Sequence, residues 1–201
     1  MRTSTFGCIA LAALALLAGG GCASSNVKAQ WTDPQFANHP LQGATVLVRC
    51  DARETVLRQV CLEQMSQQLR AAGALPVTAQ DASSDAPLAG DGREAARATN
   101  ARAVLTSRIA PGASVAAPRP TIGFGVGSWG GNVSTGVGVN VPVGEQRVNT
   151  SYMADMVLTD VESGKVMWTS SVATPASSNV NAQVADLAKS GVEAAKKSGL
   201  F

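Results

Sequence analysis

One stretch constrains this chain more than any other: "NTSYMADMVLTDVESGKVMWTSSVA", residues 149–173. Tyr152, Ala154, Met156 and Leu158 fall at alternate positions, and so do Val166, Trp168, Ser170 and Val172. A period of two places each set on one face of a strand. Ser163-Gly164 between them suits a short hairpin loop in which glycine takes positive φ. Two antiparallel strands with matched faces follow, and Trp168 is expected to be buried beneath either the first or the last helix of the domain.

Signals upstream and downstream supply those helices. "ATVLVRC" (44–50) alternates, with Val46, Val48 and Cys50 on one side. From Arg53 to Ala72 the residues Leu57, Val60, Cys61, Met65 and Leu69 recur at helical steps and form one apolar face. Asp51 with Glu54 fits a capping box, and Gly73 a C-terminal stop. "LPVTAQ" (75–80) reads as a short strand, 81–92 as a loop, Arg93–Asn100 as a short helix and 101–110 as a core strand. The closing segment carries Val184, Leu187, Ala188, Gly191, Val192 and Ala195 on one helical side, with Lys189, Lys196 and Lys197 toward its C-terminal end. The expected fold class is α+β, sandwich-like: a mixed β-sheet with helices packed on it, plus a glycine-rich β-hairpin.

That hairpin is "TIGFGVGSWGGNVSTGVGVNVPVG", 121–144. Gly125, Gly127 and Gly130 stand at the G-x-G-x-x-G spacing of a dinucleotide loop, which requires a helix directly after the glycines to hold the pyrophosphate. Here a β-like segment with alternate glycines follows, so the match is chance and no cofactor is expected. Ile122, Phe124 and Val126 alternate with Gly123, Gly125 and Gly127; on the return, Val137, Val139, Val141 and Val143 alternate with Gly136 and Gly138. One face is apolar and the other nearly bare. Interior glycine costs about 0.5–1 kcal/mol each, which close approach of another surface offsets. The candidate interaction hairpin is therefore Phe124, Gly125, Gly127, Trp129, Gly130, Gly136 and Gly138; a glycine-rich insertion without a partner is the competing reading.

The chain opens with one arginine and an apolar or small run from Phe6 to Gly19, too short for a membrane span. "LLAGGGCASS" then resembles the lipobox of bacterial lipoproteins, in which the cysteine receives a diacylglycerol and the preceding peptide is removed. This implies a signal peptide at 1–21, lipidation (palmitate included) at Cys22 and a lipidated tether over 22–43, ahead of a single domain at 44–201. Gly19–Gly21 displaces the usual aliphatic residue, which keeps plain secretion open. Ala23 after the cysteine implies the outer membrane, facing the periplasm.

Cysteine parity bears on the same compartment. With Cys8 removed and Cys22 acylated, Cys50 and Cys61 remain, and an oxidising environment favours their pairing. The capping box opposes it. A helix capped by Asp51 carries Cys61 about 15 Å along its axis, whereas a disulfide needs Cα atoms within about 7 Å. The bridge requires the helix to start near Val56. A bridge worth roughly 3 kcal/mol outweighs a cap worth about 1 kcal/mol, so the bridge is expected.

Chemistry is sparse. His39 is the one histidine, and no clustered cysteine or acidic ligands accompany it, so neither a metal site nor a catalytic residue is expected. Net charge is +2 without a basic concentration and aromatics are 4 %, which argues against nucleic acid.

Tyr152, Leu158, Asp160, Gly164, Lys165 and Trp168 spell Y-x-x-x-x-x-L-x-D-x-x-x-G-K-x-x-W. With the lipobox and the glycine-rich middle, this resembles the small proteobacterial envelope lipoproteins of unknown function. In layout the front half is similar to the curli secretion-channel lipoprotein, the amino-terminal domain of the Tol-system periplasmic protein and the outer-membrane activators of peptidoglycan synthases. The resemblance implies a non-enzymatic protein held to the membrane by its lipid, working through an envelope protein partner. The alternative is a self-assembling secretion-channel or pore component with 121–144 as a membrane arm.

Overall fold

The structure is a computed structural model and describes residues 26–36, 38, 40–78, 92–116, 121–126, 137–142 and 148–201. Cys22, His39, Gly127, Trp129, Gly130 and Gly136, with the expected signal peptide, lie outside them. The elements run β1 (Asn26–Thr32), β2 (Thr45–Asp51), α1 (Thr55–Ala72), β3 (Leu75–Thr78), α2 (Arg93–Ala98), β4 (Ala103–Ala116), β5 (Thr121–Val126), β6 (Val137–Pro142), β7 (Val148–Asp160), β8 (Val166–Ala173) and α3 (Val180–Lys197). Six strands form one sheet in the order β1-β8-β7-β4-β2-β3. The β2–β3 and β2–β4 pairs are parallel and the others antiparallel. The fold is the expected mixed sheet with helices packed on it.

Chain chirality explains the placement of the helices. The path from β2 to β3 steps one way across the sheet through α1, and the path from β3 to β4 steps back through α2. Crossovers of one hand in opposite directions put their helices on opposite faces. Accordingly α1 joins α3 over Val46, Val48, Leu105, Met156 and Leu158, while α2 covers only Leu47 and Val104 through Ala95 and Ala96. Among the described residues one face is fully roofed and the other is roofed at one end.

Trp168 lies on the roofed face, 1 % exposed, bounded by Leu69 of α1, Val192 and Ala195 of α3, and Phe201. It sits under both helices. The alternation around it is corrected at one place. Thr159 pairs with Val166 and Leu158 with Trp168, so Met167 is an extra, bulged residue. Met167 is buried beside Trp168 and Val166 is 37 % exposed. The turn that follows β7 has its own lock: Asp160 Oδ2 accepts from Ser163 N at 2.7 Å and from Ser163 Oγ at 2.6 Å. Asp160 Oδ1 meets Arg102 Nε at 3.2 Å, and Gly164 takes φ 71°.

The capping box does not form. Asp51 ends β2 and meets Arg108 Nε at 3.2 Å, and α1 starts at Thr55 with no side-chain cap bond from Glu54. Starting later, the helix turns back over β2 and carries Cys61 to Cys50. The two are bonded, with a Cα–Cα distance of 6.1 Å. At the other end of α1 Gly73 takes φ 94° and donates to the Arg70 carbonyl while Ala74 donates to that of Leu69, the expected stop.

A second correction concerns 22–43. Asn26–Thr32 is no tether but the edge strand β1, paired antiparallel with β8. Its sequence shows no sustained period because the strand is exposed almost throughout and because Lys28 bulges between Val27 and Ala29, which breaks the alternation.

Gly191 sets how closely α3 approaches the sheet. A Cβ built there overlaps Met156 Sδ and Cε, and Met156 is itself buried. Alanine in a helix gains about 1 kcal/mol over glycine, while overpacking a core costs about 1–3 kcal/mol. Gly191→Ala is therefore expected to lower stability by about 1 kcal/mol in urea titration. Met156→Val in the same chain should return part of that loss, and purely additive effects would remove this explanation.

Candidate functional site

The described residues of the glycine segment pair as the two antiparallel strands of the expected hairpin, while 127–136, with Gly127 and Gly130 of the fingerprint, lie outside them. Thr121–Val126 pairs antiparallel with Val137–Pro142 as a separate two-stranded sheet. The register sets Ile122, Phe124 and Val126 opposite Val141, Val139 and Val137, and Gly125 opposite Gly138.

The described residues assemble a different surface: the open sheet face and the β1 edge that borders it. Residues in register share a face. Trp31 pairs with Thr169, Thr169 with Val157, Val157 with Thr106 and Thr106 with Arg49, making one row across five strands. The next row runs Ala29, Ser171, Asp155, Arg108 and Asp51. A depression of about 290 Å³ lies where these rows meet β1, lined by Trp31, Asp155, Val157, Thr169 and Ser171. Trp31 is 52 % exposed. Asp155, which alternation sets on the side away from Tyr152–Leu158, is exposed.

Chemically this is a platform: one indole, three hydroxyls and a charged row in which Arg108 stands between two carboxylates. Asp160, which lies with Arg102 at the far end of β7, does not join it. Among the described residues no three His, Cys, Asp or Glu side chains are grouped to hold a metal ion, and no helix is long and apolar enough to cross a membrane.

β1 is the part of the site that sequence reading missed. Val27, Ala29 and Trp31 do alternate with Lys28 and Gln30, a signal five residues long. The bulge at Lys28 then places Val27 opposite Val172, on the roofed side, and Ala29 and Trp31 on the open one.

No protein-family model matches the chain, and no curated protein matches it. Among solved structures, the chain is similar to the PelC dodecamer from Paraburkholderia phytofirmans, at 17 % identity and a TM-score of 0.47, over 82 % of this chain and 95 % of that one. A single-substitution variant of that dodecamer matches at 17 % identity and a TM-score of 0.48, over 82 % and 96 %. A PDZ domain protein from Parabacteroides distasonis matches at 8 % identity and a TM-score of 0.37, over 83 % of this chain and 35 % of that one.

Proposed function

We propose that this chain is an exported, lipid-anchored protein of the outer membrane, facing the periplasm, that works without catalysis by binding another envelope protein. The observation that carries the reading is β1: a strand with no buried residue, displaying Trp31 at the border of a sheet face left open among the described residues. Tryptophan is enriched among residues that dominate binding energy at protein interfaces. The Cys50–Cys61 bond supports an oxidising compartment, and the lipobox supports the anchor. Cys22 stands four residues before Asn26, an extended reach of at most about 14 Å. Anchoring there holds the β1 edge next to the membrane surface.

Photocrosslinking in cells tests the reading. A photoreactive phenylalanine analogue at Asp155 is expected to give one discrete protein adduct, and the same analogue at Leu75, on the opposite edge, none. Cys22→Ser should release the chain from the detergent phase and reduce the adduct. Absence of any protein adduct from Asp155 overturns the binding reading; unchanged detergent partitioning of Cys22→Ser overturns the anchor.

A further inference from the structure

The two edges of the sheet are finished differently. β3 has four residues and carries Pro76, which cannot donate to a further strand. β1 has seven, and alternate residues in an antiparallel strand turn N–H and C=O away from the partner they pair with. On that outer side no strand is paired among the described residues. α3 nevertheless overhangs it. Ser190, Glu193, Ala194 and Lys197 lie on one helical side and enclose, with β1, a groove of about 580 Å³.

The lining says what fits. Ser190 and Ala194 on the helix are small, so a backbone can come close to it beside the strand. Lys28 and Lys197 stand at the rim with Glu193 as their one acidic neighbour in the lining, and all three side chains are exposed. The bulge at Lys28 limits a straight ladder to Ala29–Thr32. Lys28 is itself one of the residues that line the groove.

We infer that β1 and α3 form a docking groove for an extended acidic segment of a partner protein. The segment adds to β1 as a further strand, sets small side chains beneath α3 and turns acidic ones toward Lys28 and Lys197. This is strand addition at a sheet edge, in which main-chain hydrogen bonds give affinity and side-chain contacts give selectivity. Charge decides against a second copy as the occupant. Two β1 edges brought together also bring together two sets of Lys28 and Lys197, and like charges facing across strands are destabilising. The inference rests on the protein-binding reading above and adds to it the chemistry of the bound segment.

Short random peptides displayed on phage and selected on the full chain in detergent test it. Enriched peptides should alternate small or apolar residues with Asp or Glu, and should slow amide exchange across Ala29–Thr32. Lys28→Glu combined with Lys197→Glu should weaken them about tenfold, and Glu193→Lys should tighten them. Both changes lie on exposed side chains, so the fold serves as its own control. Failure to enrich any peptide overturns the inference, as does enrichment without acidic residues or affinity that survives the charge reversal. A dimer in sedimentation that Lys28→Glu strengthens overturns it in favour of a second copy. The two readings fail separately: an Asp155 adduct without acidic binders removes only the groove, and loss of the Asp155 adduct removes the reading beneath it.

Discussion

Trp168→Ala is expected to lower the unfolding free energy by roughly 3–5 kcal/mol, the largest effect of any single substitution considered for this chain. The indole is 1 % exposed and touches the sheet and both long helices, so no single element can move in to fill the space it leaves. Its Nε1 has no hydrogen-bond partner among the described residues, so Trp168→Phe forfeits packing volume but no hydrogen bond and should cost distinctly less. Trp31 provides the comparison. It is half exposed on an edge strand, and Trp31→Ala should stay within about 0.5 kcal/mol of the parent. Urea titration of the three variants measures this; a Trp168→Ala loss below about 1 kcal/mol contradicts the packing argument.

Removing the Cys50–Cys61 bond comes next. The two residues are separated by 11 positions, and a closed loop of that length restricts the unfolded chain by roughly 3 kcal/mol. Both sulfurs lie in the core, with Cys61 fully buried between Leu57 and Met65 on the apolar face of α1. Alanine at both positions also removes two buried sulfurs, so the total loss should reach about 3 kcal/mol or somewhat more. Burial carries a kinetic corollary: dithiothreitol should reduce the bond only as the chain opens. The measurements are the urea midpoints of the parent and the double variant, and thiol release with and without denaturant. A rapid release from the folded chain would contradict the burial of Cys61.

How far these features can be read from residues alone depends on whether burial leaves a period. In β7 one face is buried and the other partly wet, and Tyr152 to Leu158 spell the alternation out. In α1 the face from Leu57 to Leu69 is equally legible, and Gly73 marks its end. β1 defeats the same method because neither of its faces is buried, so nothing selects apolar residues at alternate sites. At Val166 the period points to the wrong residue, since the bulge at Met167 moves the buried position by one. β4 runs to Ala116 through Pro111 and Gly112, residues that read as its end; a third bulge, opposite Ser151, accommodates them. The start of α1 was set by competition. A cap and a bridge make incompatible demands on "DARET", and the stronger of the two prevails in the fold. The candidate site is the least legible feature, because it is made by neighbours distant in the chain. The glycine pattern is local to 121–144, while the groove brings together Lys28 and Lys197 from opposite ends of the chain.

The position of β1 in the sheet also has a meaning in time. Asn26 pairs with Ala173 and Thr32 with Trp168, so one of the earliest described strands waits for one of the last. Closing so long a loop costs entropy before any contact repays it, and folds dominated by such pairings form slowly. If the chain is exported as proposed, crossing the membrane from its N-terminus, it should emerge with β1 unpaired and keep it so until β8 and α3 have followed. During that interval β2, α1, β3, α2 and β4 can assemble with one another, since each finds its neighbours nearby in sequence. The annealing of β1 onto β8 is expected to come last, and its reverse first on unfolding. Hydrogen exchange should therefore find β1 the least protected strand of the main sheet, a late-closing latch on an otherwise finished domain.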